Sequence, residues 1–291
     1  MVNRLVLSLF PGLGLLDRAF EAEGFTIVRG PDVIWGGDVR AFHPPAGVFD
    51  GLIGGDPCQS HSLLANLVRA KGLEPRFPDL TPEFQRVIDE AQPQWFLREN
   101  VPRAPDIEPA GYGVNSFLLD NAWLGEAQMR KRRFWFGVRG HAAPNLRKWI
   151  PGAALELAET SRTVSQEGGV AWYDNLHRVK RPAICADARA VPVNLGGSGK
   201  VKRSAVTGRH PGEIGLTGGH RGSPARYTLA EMCELHGLPR DYLDHCPLTE
   251  TGKRKAIGNG VPVAMGRALA QAITLALAEI EPAPVAEART W

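Results

Sequence analysis

The sequence predicts an α/β fold built on an open, doubly wound sheet, with an irregular basic segment inserted before the last helix. Short apolar runs alternate with helical patterns through the first half of the chain, and turn residues separate them. The rhythm is then lost, and residues 194–222 hold nine glycines with little periodicity. The 291 residues are enough for one large domain and a smaller one.

The first half of the chain supplies the alternating elements of the sheet. Apolar runs predict the strands, and apolar residues at helical spacing predict the helices. In chain order these are strand 4–10, helix 15–23, strand 25–28, strand 48–53, helix 82–91 and strand 95–97.

The second half changes character. A hairpin-like unit is predicted near residues 125–137, and helices are predicted at 228–236 and 263–280. We therefore expect four parts. These are an α/β domain at 1–139, an inserted domain at 140–225, a return to the first domain at 226–280 and a tail at 281–291.

Composition narrows the class of protein. The hydrophobic fraction is 43% and the charged fraction 22%, which is typical of a globular domain. The net charge is only +3, but residues 140–226 hold 13 Lys and Arg against 6 Asp and Glu, which suits a polyanion. Four scattered cysteines fit reduced thiols. With no signal peptide and no membrane span expected, the sequence predicts a soluble cytoplasmic protein.

A glycine turn follows the first predicted strand. Residues 10–14 read Phe-Pro-Gly-Leu-Gly, so Gly12 and Gly14 stand where the backbone can approach a ligand, just before a helix. The turn lacks a third glycine and a basic residue, which favours a nucleoside with a carboxylate over a pyrophosphate. An ordinary strand-to-helix turn fits the same residues.

Asp38 follows the short apolar run 33–35, which we interpret as a second strand end. Its carboxylate could accept a hydrogen bond from an adenine amino group. A solvated loop carboxylate or a helix cap is the alternative.

Cys58 lies just after the predicted strand 48–53, in the segment Gly-Gly-Asp-Pro-Cys-Gln at 54–59. Ligands gather at this edge of an open α/β sheet. A thiolate there can add to an electron-poor ring carbon, provided that positive surroundings lower the pKa of the thiol. An inert buried cysteine is the alternative.

Glu99 follows the predicted strand 95–97 and should reach the same edge of the sheet. A protonated carboxyl group there could donate to a ring nitrogen that gains electron density. The alternative is a carboxylate paired with Arg98 or Arg103.

Two further segments complete the pattern. In the run 128–133, alternation places Gln128, Arg130 and Arg132 on one face of the chain. Residues 258–263 read Gly-Asn-Gly-Val-Pro-Val, a turn whose proline would start the last helix. Alone, the first is a charged surface run and the second is a helix start.

Taken in order, FxGxG, PCQ, ENV, QxRxR and GNxV closely resemble the motifs of the DNA cytosine-5 methyltransferase family. The resemblance covers about residues 4–139 and 226–280. It implies a Rossmann-like S-adenosylmethionine-dependent methyltransferase sheet, with a small irregular target-recognition domain at 140–225. The compact stretch 29–38 resembles the short forms found in phage and prophage members.

The resemblance also implies roles for residues. Cys58 would attack C6 of a flipped-out cytosine, Glu99 would hydrogen-bond N3, and Arg130 and Arg132 would hold the cysteine region and the cytosine carbonyl. S-adenosylmethionine would be the cofactor, and its implied contacts are Phe10, Gly12, Gly14, Asp32, Asp38, Asn259 and Val261. The partner would be double-stranded DNA, and its implied contacts are Gln59, Ser62, Arg69, Arg203, Arg209 and Arg221.

The chain departs from the family pattern beside the cysteine. Asp56 stands where the family usually has Pro or Phe, and His61-Ser62 stands where it usually has Phe-Ser. A carboxylate two residues before the nucleophile should raise the pKa of the thiol, unless Asp56 turns away or pairs with an arginine. Asp32 is the choice for the acidic residue that binds the ribose.

Several alternatives remain open. The tRNA cytosine methyltransferases share these motifs, and a silent homologue could bind DNA without modifying it. A thiol hydrolase using Cys58 and His61 would leave the other motifs without a purpose. Cys233, His236, His245 and Cys246 could be read as zinc ligands, although residues 231–239 fit another family motif better. We expect a monomer without a metal.

Overall fold

The computed structural model describes residues 4–57, 72, 78–126, 128, 130–151, 181–184, 190–193 and 228–280. Within these ranges the chain forms a six-stranded sheet in the order β2-β1-β3-β4-β6-β5. Its strands are β1 (Leu5–Leu9), β2 (Thr26–Arg29), β3 (Gly51–Gly54), β4 (Trp95–Asn100), β5 (Tyr112–Asp120) and β6 (Lys131–Arg139). A separate antiparallel pair consists of β7 (Arg181–Ile184) and β8 (Ala190–Val193).

Five described helices accompany the strands. They are α1 (Leu15–Ala22), α2 (Thr81–Ala91), α3 (Leu229–Leu235), α4 (Glu250–Asn259) and α5 (Val263–Glu279). Short 3-10 turns occur at Val33–Trp35, Val39–Ala41, Asn121–Leu124 and Leu146–Trp149.

The pairing of the strands determines which of their ends meet. β2, β1, β3 and β4 run parallel, so their carboxyl ends share one edge of the sheet. β6 pairs with β4 in the antiparallel direction, with Glu99 opposite Phe134 and Asn100 opposite Arg133. The beginning of β6 therefore lies at the edge where β4 ends.

Side chains alternate between two layers of helices. Val6, Ile53 and Leu97 pack into a cluster with α1 and α5, whereas their strand neighbours Leu7 and Leu52 pack with α2 on the other face. A third cluster joins α3 and α4 to the start of α1. This layered arrangement confirms the predicted α/β fold with helices on both faces of the sheet.

Helix α5 is the central helix of one layer. It packs so tightly on α1 that a Cβ on Gly266 would stand 2.5 Å from Cβ of Ala19. By length and composition alone the stretch Glu250–Glu279 could cross a membrane, which the sequence did not lead us to expect. Half of the most apolar 18 residues of this stretch are buried inside the fold, as in a core helix of a globular protein.

The start of the inserted segment belongs with the sheet. Leu146 and Ile150 are fully buried in the cluster that contains α5. Lys148 and Trp149 both contact the carboxylate of Glu279 at the end of that helix. Residues 146–150 therefore pack against the helix layer that contains α5.

Two local expectations were wrong. The run Val33–Trp35 is a 3-10 turn with exposed side chains instead of a strand, because Asp32 caps it through a hydrogen bond from the Ile34 amide. Gly258 and Asn259 are the last residues of α4 and do not form a turn. Helix α4 has little apolar periodicity, since only Ala256 and Ile257 among its side chains are buried apolar groups.

His236 ends α3 and is 1% exposed. Its Nδ1 lies 3.0 Å from the carbonyl oxygen of Met232, so Nδ1 carries the proton and donates it. Burial lowers the pKa of His236 to about 3, and the positive charge of Arg130 acts in the same direction. The folded protein thus keeps this imidazole neutral.

We expect acid to destabilise the fold through His236. Between about pH 6.5 and pH 3, His236 binds a proton in the unfolded chain but not in the folded chain. The free energy of unfolding therefore falls as the pH decreases through this range. At about pH 5 the loss is about 2 kcal/mol. Urea unfolding near pH 7.5 and near pH 5 measures it, and His236→Gln should reduce the difference.

The control for this prediction is His245→Gln, which changes an exposed histidine in the same region. It should leave the pH dependence of unfolding as in the unaltered protein. An equal pH dependence in His236→Gln and the unaltered protein would contradict the role given to His236.

Candidate functional site

A cavity of about 640 Å³ opens at the carboxyl edge of the parallel strands. This volume is in the range of small-molecule sites in proteins. Its walls come from the ends of β1, β3 and β4, from residues 31–40, and from the end of α4 with the residues that follow it. The predicted site residues that line it are Phe10, Gly12, Asp32, Asp38, Glu99, Arg132, Asn259 and Val261.

The glycine turn after β1 has an unusual backbone. Phe10, Gly12 and Gly14 all have positive φ values, of 53°, 55° and 72°. Phe10 is not a glycine, so its left-handed conformation costs energy and marks a residue held by its surroundings. Its ring stacks on that of Phe84 in α2 at 6.5 Å between centroids.

Gly14 plays a different part from Gly12. It is the N-cap of α1 and is not among the residues that line the cavity. A Cβ there would stand 2.8 Å from Nη2 of Arg29. The structure therefore supports Gly14 as a packing residue behind the turn.

Asp32 is tied to the glycine turn. Its Oδ2 accepts a hydrogen bond from the Gly12 amide at 2.8 Å, and its Oδ1 accepts one from the Ile34 amide at 2.8 Å. Trp35 crosses the same turn, with its indole nitrogen donating to the Gly12 carbonyl oxygen at 2.8 Å. Two amide donors thus fix the Asp32 carboxylate at the cavity wall.

Asp38 is more exposed and is held by its neighbour. It caps the second 3-10 turn by accepting from the Arg40 amide at 3.0 Å. The Arg40 guanidinium also binds both carboxylate oxygens, the shortest distance being 2.7 Å. These contacts hold the pKa of Asp38 below its usual range, so the side chain is an ionised acceptor.

Sequence reasoning missed a buried cluster in the cavity wall, to which Ser8 and Asp17 both belong. Asp17 of α1 is 0% exposed, accepts a hydrogen bond from Ser8 and pairs with Arg29 Nε at 2.8 Å. Burial raises the pKa of Asp17, and the bonds to Ser8 and Arg29 oppose that rise. Since these residues lie on three separate elements, no local motif could have indicated that they meet.

Arg130 connects two distant parts of the chain. Its Nη1 donates to the carbonyl oxygen of Gly258 at 2.8 Å and its Nη2 to that of Asn259 at 3.0 Å. Its amide donates to Asp120 at 2.9 Å, and the residue is 3% exposed. Arg130 thereby holds the end of α4, which brings Asn259 and Val261 to the cavity.

Glu99 and Arg132 form an ion pair at the cavity wall. Arg132 Nε lies 2.9 Å from Glu99 Oε1, and the two side chains are 19% and 12% exposed. Burial raises the pKa of Glu99, while the charges of Arg132 and Arg130 lower it and the charge of Asp56 raises it further. The net rise favours a proton on this carboxyl group.

Asp56 is paired with an arginine, which was one of the two outcomes foreseen for it. Arg98 Nε donates to Asp56 Oδ1 at 2.6 Å, and both side chains are 0% exposed. Arg98 was one of two arginines named in the alternative reading of Glu99, but it lies on the opposite face of β4 and binds Asp56. The carboxylate of Asp56 is therefore neutralised by an adjacent positive charge.

The remaining predicted residues lie outside the described part of the chain. Pro57, the residue before Cys58, lines the cavity. The predicted residues that the structure does not describe are Cys58, Gln59, Ser62, Arg69, Arg203, Arg209 and Arg221.

The described residues contain no group of three or more His, Cys, Asp or Glu side chains that could hold a metal ion. Burial raises the pKa of Cys233 to about 11, so this thiol is not a ready ligand. His236 uses Nδ1 to bond the Met232 carbonyl. The zinc reading of residues 233–246 has no support among these groups.

Residues 37–275 match the family model of the C-5 cytosine-specific DNA methylases. The chain is 33% identical over 163 residues to the Type II methyltransferase M.FnuDI of Fusobacterium nucleatum, covering 46% of each protein. It thus spans about half the length of that relative.

Two further similarities cover nearly the whole chain. The Type II methyltransferase M.HgiDI of Herpetosiphon aurantiacus is 27% identical over 304 residues, which is 92% of this chain and 93% of that protein. A solved structure of a candidate DNA modification methyltransferase encoded within an E. coli prophage shares the fold. It has a TM-score of 0.54 and 16% identity, and covers 95% of this chain and 100% of that one. Because the family model matches most of its residues, this chain belongs to the C-5 cytosine-specific DNA methylase family.

Proposed function

We propose that the protein is a DNA cytosine-5 methyltransferase that uses S-adenosylmethionine and forms a covalent bond between Cys58 and C6 of a flipped-out cytosine. The observation that carries this proposal is a single cavity that collects residues from all five predicted motifs. Six of the seven predicted cofactor contacts line it, together with Glu99 and Arg132. Pro57, which precedes Cys58, lines it as well.

The chemistry of the donor set fits the cofactor. S-adenosylmethionine supplies the methyl group when it is bound. The Asp32 carboxylate, fixed beside Gly12, is suited to ribose hydroxyl groups, and the ionised Asp38 is suited to an adenine amino group. Asn259 and Val261 would close the cavity from the side of α4.

The catalytic residues would act on the cytosine ring in sequence. The Cys58 thiolate adds to C6 while the protonated Glu99 donates to N3, so the electron pair displaced from the C5–C6 double bond is stabilised across the ring. C5 then takes the methyl group. A base removes the C5 proton, and the electrons of that C–H bond restore the double bond and expel the Cys58 thiolate.

The two arginines have separate roles in this proposal. Arg132 contacts Glu99 and lines the cavity, so it can orient the acid and bind the carbonyl of the base. Arg130 is buried on the carbonyl groups of residues 258 and 259, so it supports the wall of the cavity. Of the two, Arg132 is the one placed to touch substrate.

Duplex DNA is the proposed substrate, bound by a monomer in the cytoplasm. The local excess of positive charge in residues 140–226 suits contacts with phosphate. Gln59, Ser62 and Arg69 beside the nucleophile, and Arg203, Arg209 and Arg221 in the proposed recognition domain, remain the candidate DNA contacts.

Bisulfite sequencing of plasmid DNA from cells that express the protein tests the function. We expect protected cytosines in one short sequence context, because bisulfite converts cytosine but not 5-methylcytosine. Cys58→Ser should abolish the protection, since the hydroxyl is a far weaker nucleophile, while binding of S-adenosylmethionine stays nearly unchanged.

The outcomes separate the alternatives. Protection that persists in Cys58→Ser would contradict the covalent mechanism. No protection with an intact protein that binds the cofactor would move the proposal to tRNA, tested next with the same variant. If neither nucleic acid is modified, the protein is a silent DNA-binding homologue.

A substitution at Gly55 tests whether the rate of methyl transfer depends on the position of Glu99. A Cβ at residue 55 would stand 2.7 Å from Glu99 Oε2 and 2.8 Å from the Glu99 carbonyl oxygen. Gly55→Ala should therefore displace the acid and lower the rate of methyl transfer per folded molecule by about 100-fold. Single-turnover kinetics, normalised to the folded fraction, measure this rate.

Gly113→Ala is the matched control. A Cβ at residue 113 would stand 2.3 Å from the carbonyl oxygen of His141, at a place that does not line the cavity. It should cost about 1–3 kcal/mol of stability without changing the rate per folded molecule. Equal rates in both glycine variants would contradict the role given to Glu99.

A further inference from the structure

A buried ion pair joins the end of β4 to the residues that follow β3. Arg98 binds Asp56 in a fork, with Nε donating to Oδ1 at 2.6 Å and Nη2 donating to Oδ2 at 2.9 Å. Both side chains are 0% exposed. A planar guanidinium can make this two-point contact, whereas an ammonium group cannot.

Thr81 adds a third member from a different element. Its hydroxyl donates to Asp56 Oδ2 at 2.9 Å and accepts from Arg98 Nη2 at 3.0 Å. Thr81 is the first residue of α2, so residues 57–80 leave the cluster at Asp56 and return to it at Thr81. One guanidinium is therefore bonded to both sides of the stretch that contains Cys58.

The surroundings leave this cluster a single arrangement. Arg98 Nη1 donates to the carbonyl oxygen of Pro105 at 2.7 Å, and the guanidinium lies over the ring of Trp135 at 4.5 Å. Asn100 Nδ2 donates to the carbonyl oxygen of Asp56 at 3.0 Å. Each nitrogen of the guanidinium thus has a partner, and the backbone of residue 56 is held as well.

Stability alone is a poor explanation for such a pair. The cost of removing two charges from water offsets most of their attraction, and apolar side chains of similar size often serve the fold as well. What the pair supplies is a fixed geometry, since the fork permits one orientation. Arg98 is adjacent in sequence to the proposed acid Glu99, and Asp56 stands two residues before the proposed nucleophile Cys58.

We propose that Arg98 and Asp56 are positioning residues that set the placement of Pro57 and the electrostatic surroundings of Cys58, the residue that follows it in sequence. This inference rests on the proposed function. Arg98 touches neither substrate nor cofactor in this role, since it does not line the cavity. It acts through Asp56 on one side and through Glu99, its neighbour in β4, on the other.

The electrostatic part of this proposal follows from the short stretch of backbone between residues 56 and 58. Two residues span at most about 7 Å between their Cα atoms, so the Asp56 carboxylate is close to residue 58. An unpaired negative charge there would disfavour a thiolate, and an unpaired Arg98 would favour one. The intact pair cancels both effects, which permits an acidic residue beside a nucleophilic cysteine.

Alkylation of Cys58 by iodoacetamide tests this part without requiring methyl transfer. Peptide mass spectrometry reports the rate at Cys58 and at Cys246 in the same sample. Asp56→Asn should speed alkylation of Cys58 by about tenfold and Arg98→Met should slow it by about tenfold, because they leave opposite charges unpaired. The double variant, which removes both charges, should return towards the unaltered rate.

Kinetics test the positioning part. Thr81→Val removes the shared hydroxyl and leaves both charges, so we expect kcat to fall about tenfold while Kd for S-adenosylmethionine and KM for DNA stay unchanged. Thr81→Ser keeps the hydroxyl and should retain the kcat of the unaltered protein. Arg98→Lys should not rescue kcat, since it restores the charge without the fork.

The matched control is a second arginine–carboxylate pair on the same tryptophan. Arg133 lies over the Trp135 ring at 4.7 Å and pairs with Asp106 at 2.7 Å, with Asp106 60% exposed and neither residue in the cavity wall. Asp106→Asn should change neither the alkylation rate nor kcat.

Specific outcomes overturn the inference. If Asp56→Asn and Arg98→Met shift alkylation in the same direction, or change Cys246 as much as Cys58, the pair only stabilises the fold. If Arg98→Met does not fold, Asp56→Asn and the two Thr81 variants still decide. An unaltered protein inactive on DNA, with opposite shifts at Cys58, would defeat the proposed function and leave the pair's role standing.

Discussion

The parallel pairing of β3 with β4 is the constraint on which the site depends. Because Gly54 lies opposite Arg98, the chain beyond β3 runs alongside the last residues of β4. Gly55 makes this possible, since any side chain there would collide with Glu99. Glu99 and Arg98 then point to opposite faces, so Glu99 reaches the cavity while Arg98 reaches Asp56. The antiparallel β6 adds Arg132 at the same edge, opposite in charge to the acid it meets.

Acidic and basic side chains both line the cavity, and four of the acidic ones are held in place by different partners. Asp32 is bound by backbone amides and Asp38 by a neighbouring guanidinium. Asp17 is shielded behind the glycine turn by Ser8 and Arg29, and Glu99 combines burial with an arginine partner. Burial raises the pKa of Glu99, whereas the bonds to Arg40 hold the pKa of Asp38 below its usual range, so the two carboxyl groups differ in their affinity for a proton.

Local signals were sufficient for β1, β3 and β4 and for the residues that end them, but not for β5, which precedes the hairpin-like unit predicted near 125–137. Strand periodicity located β1, β3 and β4, and the sheet rule then placed Gly12, Asp56 and Glu99 at one edge. Partners across strands could not be foreseen, because they depend on register. Arg98 was considered only as an alternative partner of Glu99, one residue away, whereas alternation along β4 places it against Asp56. The support that Arg130 gives to the end of α4 spans more than a hundred residues, and α4 itself has too few buried apolar side chains to reveal a helix.

The contact between α1 and α5 has a consequence for biosynthesis. The apolar face of α1, with Leu16, Ala19 and Phe20, is covered by a helix that begins about 240 residues later in the chain. At a synthesis rate of about 5–20 residues per second, this face waits roughly 10–50 s on the ribosome for its partner. Arg130 likewise has no carbonyl groups to bind until residues 258 and 259 emerge. The nascent chain therefore carries an open, incomplete cavity, and the competent site appears only when the last helix docks.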